Sequence, residues 1–313
     1  MNSSQELKKR TPNIESATMG DVTWINIEHP TDADIAFLKE NYPFHPLDLA
    51  DCVSRMQRPK LDIYEDYLFL IFHYSLWDKV KRVSTAEQVS VFLGDKYVVT
   101  VHNGRFTPLG NLFRLCQSDE QVRRENFSNG SGYLLYRIID RSVDSYLPIL
   151  DKILNLVDNV EEVVFDENIE ASKEVFILRR DIIAQRRIMI PNRASFTELE
   201  PKLARFTRIN LTPYFGDVID HMNKICETLD ECKDIIDAFK DTDYILSTNR
   251  IKRFMRILVI LGVIAVPFIV IAGIYSALPT IDKSDVRIFL VLLVAVFLVS
   301  GSTLYFFRRK KLI

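Results

Sequence analysis

The chain has 313 residues, 48% of them hydrophobic and 26% charged, with a formal net charge of -2 at neutral pH. That balance excludes the broad basic surface of a nucleic-acid-binding protein, and the length allows one large soluble domain, or two, beside a membrane anchor. The apolar residues are not spread evenly, because two long apolar runs lie near the C-terminal end.

Residues 1–10 are polar and lack the apolar core of a signal peptide, so the first part of the chain is expected to stay in the cytoplasm. Cys52, Cys116, Cys226 and Cys232 contain no Cys-x-x-Cys pair and read as buried thiols of a reducing compartment. The glycosylation-like triplets at Asn126 and Asn129 are then chance matches.

Alternation predicts a first strand over 22–27, and Thr31 is placed to cap a short helix over 31–41. Residues 67–74 are apolar and aromatic. Residues 87–92 and 96–102 alternate or are β-branched, and Leu93-Gly94-Asp95 between them is a hairpin signal. Up to about residue 104 the chain reads as a mixed sheet with helices. From residue 107 the periodicity is helical. Residues 133–164 form one long amphipathic pattern through Leu134, Ile138, Leu147, Leu150, Leu154 and Val157. Residues 173–189 form another, rich in arginine and ended by Pro191. Thr212-Pro213 marks a helix start, and no proline or glycine interrupts 217–256. One helix is therefore expected from about residue 213 into the first apolar run, and so long a helix needs support from neighbours, as in an oligomer.

Residues 257–278 and 288–307 carry no charged side chain. Each is long enough to cross about 30 Å of hydrocarbon as a helix. The short link over 279–287 makes them an antiparallel hairpin. Lys252, Arg253 and Arg256 precede the first run, and Arg308, Arg309, Lys310 and Lys311 follow the second. The link balances Asp282 and Asp285 against Lys283 and Arg287. The positive excess puts the outer ends, both termini and the soluble domain in the cytoplasm. The predicted fold class is an α+β cytoplasmic domain, a mixed sheet plus long helices, followed by a two-helix transmembrane hairpin. Its parts are an α/β region over 1–120, a helical region over 121–252 with a stalk helix from about 213, and a membrane region over 253–313.

Glu227, Asp230, Glu231, Asp234, Asp237 and Asp241 recur mostly at intervals of three or four, within an arc of about 120° on a helix. Ile225, Leu229, Ile236 and Phe239 fall on the opposite side. Such a stripe is either a solvated face or a surface for hard divalent cations, which take carboxylate oxygens.

Several motifs in order then resemble the CorA-type magnesium transporters over nearly the whole chain. His45-Pro46-Leu47, Gln57-Arg58-Pro59-Lys60 and Tyr64-Glu65-Asp66-Tyr67-Leu68-Phe69 are similar to that family's N-terminal sheet, and residues 87–94 to its next strand and turn. Val143-Asp144-Ser145-Tyr146 resembles its helical hairpin. Pro213-Tyr214-Phe215 with Asp217-Val218 and Asp220-His221 resembles the start of its stalk. Pro267 followed by Ile271-Ala272-Gly273-Ile274-Tyr275 resembles the end of its first membrane helix.

The resemblance implies a homopentamer in the inner cell membrane, with the first span lining an axial pore, the second in an outer ring and the cytoplasmic domains forming a funnel. It implies transport of Mg2+ or another divalent cation, gated by divalent ions bound between subunits, with no organic cofactor. Asp241 is similar in position to the family's regulatory stalk aspartate, and Asp237 and Asp234 accompany it as candidate ligands.

The pore positions depart from the family. Gly-Met-Asn after the tyrosine is here Ser276-Ala277-Leu278, the threonine expected two residues after the proline is Ile269, and the asparagine expected at the cytoplasmic end is Lys252. The implied pore face is Lys252, Met255, Leu258 or Val259, Gly262, Val266, Ile269 and Gly273, ending in Tyr275, Ser276, Ala277 and Leu278. A second reading is therefore a CorA-like membrane protein that does not conduct magnesium and carries another ion or acts as a sensor or scaffold. An enzyme finds no support: the five histidines have no metal-site spacing, and there is no P-loop or nucleophile elbow.

Overall fold

The computed structural model describes residues 14–165, 172–277 and 286–309. Its elements are β1 (Glu15–Met19), β2 (Val22–Glu28), α1 (Asp32–Asn41), α2 (Pro46–Val53), β3 (Lys60–Ile63), β4 (Tyr67–Asp78), β5 (Val83–Gly94), β6 (Tyr97–His102), α3 (Thr107–Ser118), α4 (Glu120–Phe127), α5 (Ser131–Asp144), α6 (Leu147–Phe165), α7 (Ser172–Leu199), a 3-10 turn (Glu200–Phe206), α8 (Thr212–Ala277) and α9 (Val286–Arg309). Two compact units divide the chain, Met1–Lys240 and Asp241–Ile313.

In the first unit the strands form one six-stranded sheet in the order β1-β2-β6-β5-β4-β3. β2 and β6 are parallel and every other pair is antiparallel. Alternation in β4 explains why the sheet is covered on both sides. Tyr67, Phe69 and Ile71 join a core with Leu38 of α1 and Leu49 of α2. Leu68, Leu70 and Phe72 join the opposite core with Phe113 of α3, Leu135 of α5, Phe196 of α7 and Phe215 of α8. Period-two side chains and helices on both faces are what a buried central strand requires.

Thr31 caps α1 as predicted, its backbone N–H bonded to the Asp34 carboxylate at 2.7 Å. The expected hairpin also forms, with β5 and β6 paired antiparallel. The four cysteines are free thiols, and Cys116, Cys226 and Cys232 are buried.

Two helical expectations need correction. The pattern over 133–164 is two helices, because Pro148 lacks an N–H and its ring disfavours helical backbone before it, so the first helix ends and a second starts at Leu147 with proline in its first turn. The helix expected to stop at Pro191 continues to Leu199. An internal proline costs about 3 kcal/mol. Here the following residues are anchored: Phe196 and Leu199 are buried, and Asn192 is hydrogen bonded to the backbone of β4.

Helix α8 begins at Thr212 as predicted and continues to Ala277. Its stretch Ile251–Val270, with mean hydropathy 2.3, is the one among the described residues that is long and apolar enough to cross a membrane. Helix α9 contains a shorter apolar stretch, Leu293–Ser302. Within the second unit Phe268 of α8 meets Phe297 of α9 edge to face, 6.4 Å between ring centres. The expected link between the two runs falls largely on residues 278–285, outside the described residues, as do Lys310 and Lys311.

Candidate ion pathway and stalk

Lys252, Met255, Leu258, Gly262, Val266, Ile269, Gly273 and Ser276 follow one another on α8 at intervals of three or four, which places them within an arc of about 120°. Met255 is 56% exposed, Leu258 62%, Val266 57% and Ile269 68% in the single chain. Lys252, Gly273 and Ser276 are also exposed and Gly262 is half-buried. A methyl group added at Gly262 or Gly273 would meet nothing within 4 Å. Tyr275 and Ala277 lie in the last turn of α8, and Leu278 lies outside the described residues.

The other sides of the same stretch are exposed too. Ile251, Phe254, Ile257, Leu261, Phe268 and Val270 are large apolar side chains open to the surroundings. A core helix of a soluble protein buries at least one stripe. An apolar surface this extensive, open around the helix, requires lipid or other protein to cover it. Lys252, Arg253 and Arg256 form an exposed basic group at its N-terminal end.

The acidic stripe of α8 has the predicted polarity. Ile225, Leu229, Ile236 and Phe239 are buried, while Glu227, Asp230, Glu231, Asp234 and Asp241 are exposed and Asp237 is half-buried. The sequence did not disclose that α7 supplies bases to this stripe. Arg179 Nε donates to Asp237 Oδ1 at 2.5 Å, Arg186 Nε donates to Asp230 Oδ1, and Arg193 Nη1 donates to Asn223 Oδ1 at 3.4 Å. Lys233 Nζ lies 2.9 Å from Asp234 Oδ1 and 3.1 Å from Asp237 Oδ2. Arg179, then Lys233, hold the Asp237 carboxyl below the usual carboxylate range. The signal for this pairing was present: three arginines one heptad apart on one helix and their partners one heptad apart, in reverse order, on another.

Among the described residues, no group of three or more His, Cys, Asp or Glu side chains is arranged to hold a metal ion. His45 and His102 have structural roles. His45 Nδ1 accepts the Leu47 N–H at 3.2 Å and caps α2. His102 is buried, with Nε2 3.0 Å from Asn26 Oδ1 and Nδ1 accepting the Gly104 N–H at 3.1 Å. That pattern fixes the neutral ring with its proton on Nε2, and burial pushes its pKa down to about 4.

A family profile described as CorA-like Mg2+ transporter protein matches residues 20–309. The protein YfjQ of Bacillus subtilis is 31% identical over 278 residues, covering 87% of this chain and 83% of that one. The cobalt/magnesium transport protein CorA of Thermotoga maritima is 30% identical over 263 residues, covering 81% and 72%. The structure of the CorA magnesium transporter from Methanocaldococcus jannaschii superimposes with a TM-score of 0.75 at 20% identity, covering 92% of this chain and 90% of that one, which is a likeness of fold. The profile match across almost the whole chain, the 31% identity over most of both proteins and the apolar stretch of α8 lead to one conclusion: this chain belongs to the CorA-like Mg2+ transporter family.

Proposed function

We propose that the chain forms the pore of a transporter for magnesium or another divalent cation, as a homopentamer in the inner cell membrane. The observation that carries this reading is the apolar stretch Ile251–Val270 of α8, exposed around its circumference in a single chain of a metal-transporter family. Five copies of that helix around an axis cover one side of it, and lipid and α9 cover the rest. α9 is the second span, so that residues 257–278 and 288–307 form a hairpin with both termini cytoplasmic. The α/β region over 1–120 and the helical region over 121–252 are then cytoplasmic, and residues 253–313 form the membrane region. Lys252, Met255, Leu258, Gly262, Val266, Ile269 and Gly273 face the axis, and Tyr275, Ser276, Ala277 and Leu278 form the outer mouth.

In this reading cytoplasmic Mg2+ regulates the pore through carboxylates of the stalk, with Asp241, Asp237 and Asp234 as the candidate ligands. Carboxylate oxygens suit a hard cation that keeps part of its water shell. The driving force is the membrane potential, worth about 2.3 kcal/mol per charge per 100 mV. Uptake of Mg2+ into liposomes carrying the full chain tests the reading, with the mass of the complex in detergent as the test of five copies.

One observation favours a second reading. The proposed pore face offers a single side-chain oxygen short of Leu278 apart from Tyr275, the Ser276 hydroxyl, and begins with Lys252. Selective cation pores use oxygens to replace or hold the ion's water, and apolar constrictions dewet. At about 10 Å and an effective dielectric constant near 20, each lysine opposes a doubly charged ion by about 3 kcal/mol before salt screening. A CorA-like protein that passes a different ion, or senses without conducting, fits those residues. Absence of Mg2+ flux with a pentamer intact supports it.

A further inference from the structure

The β4–β5 hairpin outruns its neighbours in the sheet. β3 pairs with β4 only as far as Ile71 and β6 with β5 only as far as Val89, whereas β4 and β5 stay paired to Asp78 opposite Val83. The tip between them is Lys79-Val80-Lys81-Arg82, three bases around a valine that is 93% exposed. This tip is held in shape. Asp78 Oδ1 accepts the N–H of Val80 at 2.9 Å and of Lys81 at 3.0 Å. From α7, Arg180 donates to the Lys81 carbonyl, and Glu174 pairs with Arg82 at 3.0 Å. A fixed loop loses little freedom on binding, so its exposed side chains are ready for a partner. Among the described residues, no hydrogen bond or ion pair joins the tip to α8.

We propose that this hairpin tip docks on α8 of a second copy of the chain, with Val80 against Ile235 and with Lys79 and Lys81 against Glu227 and Glu231. This inference rests on the homo-oligomer of the reading above and names the contact between its copies. On α8 the carboxylates of Asp230, Asp234 and Asp237 already have bases against them, from Arg186, Lys233 and Arg179. Glu227 and Glu231 are exposed and, among the described residues, have no ion pair. They lie one turn apart in line with Ile235, a large apolar side chain that is 42% exposed. Acids beside an exposed isoleucine therefore match bases beside an exposed valine, in charge and in polarity. The two surfaces are different parts of one chain. A contact between them is head to tail, the kind that repeats around a closed ring. Opposed charges fix the register, and the apolar pair at the centre excludes water.

The test is disulfide cross-linking of the full chain in detergent micelles, read on a denaturing gel, with the mass of the complex measured on the same samples. Val80→Cys combined with Ile235→Cys is expected to give a ladder of covalently joined copies on oxidation, and either substitution alone is expected to give none. Lys79→Glu with Lys81→Glu, added to that pair, lowers the ladder yield by about tenfold, since two attractive pairs become repulsive. Glu227→Lys with Glu231→Lys, added in turn, restores most of it. A yield that the second reversal does not restore overturns the charge pairing. A disulfide that closes within one chain, or no ladder from a complex whose mass shows several copies, overturns the docking and leaves the homo-oligomer standing. A wild-type chain that is monomeric in the micelles overturns the homo-oligomer and the inference together.

Discussion

Asn192 of α7 binds both backbone groups of His73 in β4: its carboxamide oxygen accepts the His73 N–H at 2.9 Å, and its amide nitrogen donates to the His73 carbonyl at 2.5 Å. β3 pairs with β4 only as far as Lys60 opposite Ile71, so His73 lies past the end of that strand. One side chain takes the place of the missing strand, at a buried edge where unpaired backbone groups are costly. The same contact ties the helix that carries the arginine ladder to the sheet.

Asn192→Leu is therefore expected to destabilise the protein by about 2–4 kcal/mol, since it leaves a buried donor and a buried acceptor without partners. Denaturant unfolding followed by tryptophan fluorescence measures this through Trp24, which is fully buried, and Trp77. A change below about 0.5 kcal/mol, the range of a neutral surface substitution, contradicts the structural role.

Acid is expected to weaken the fold through His102. Its pKa in the folded protein is about 4, below the ordinary histidine value, so the folded state holds the neutral ring and the unfolded state takes up the proton first as pH falls. The stability is fully present above about pH 6.5 and is lost progressively toward about pH 4. At pH 5 the loss from this group is about 2 kcal/mol. Burial also lowers the pKa of His73, which acts in the same direction. His102→Gln should therefore have a flatter stability profile between pH 6.5 and 5 than the wild type, though not a level one. Parallel profiles contradict the assignment.

Gly130 and Gly216 should respond in opposite directions to alanine. Gly130 has φ +97°, and a Cβ there would lie 2.9 Å from the Phe206 carbonyl oxygen, so Gly130→Ala is expected to destabilise by about 1–3 kcal/mol. Gly216 lies in α8 with nothing within 4 Å of an added Cβ, so Gly216→Ala is expected to stabilise by up to about 1 kcal/mol. Thermal midpoints of the two variants check both signs.

At the proposed pore face, Lys252→Asn combined with Ser276→Gly, Ala277→Met and Leu278→Asn introduces the polar groups that the resemblance to the family implies there. Magnesium flux is expected to rise at least about tenfold, because it removes a repulsion of about 3 kcal/mol per lysine before screening and adds amide oxygens. Flux that stays at the wild-type level contradicts the assignment of Lys252 and Ser276 to the ion pathway.

Strong periodicity made much of this protein legible in its sequence. The buried strands β2, β4, β5 and β6, the Thr31 cap, the start of α8 and the buried side of its stalk follow from spacing alone. β1 and β3 did not: Glu15–Met19 and Lys60–Ile63 are short, partly exposed edge strands whose pattern is set by pairing, not by burial. The split at Ser145 follows from Pro148, a local signal inside the long amphipathic pattern, whereas the passage of α7 through Pro191 depends on tertiary contacts, since a pattern alone does not say whether a proline is outweighed. In the stalk, the acidic stripe was readable from one helix, whereas its partners Arg179 and Arg186 lie on another helix far away in sequence. Only the packing of α7 on α8 shows which of the carboxylates arginines hold.

The central claim is that this chain moves divalent cations, and Mg2+ uptake into liposomes containing the purified full chain tests it most directly. With an interior-negative potential and a magnesium-sensitive dye inside, the account predicts uptake when the side bearing residues 1–240 is kept free of Mg2+, and its suppression when that side is raised to millimolar Mg2+. No uptake of Mg2+ or any other divalent cation, even with that side chelated and the complex intact, contradicts it.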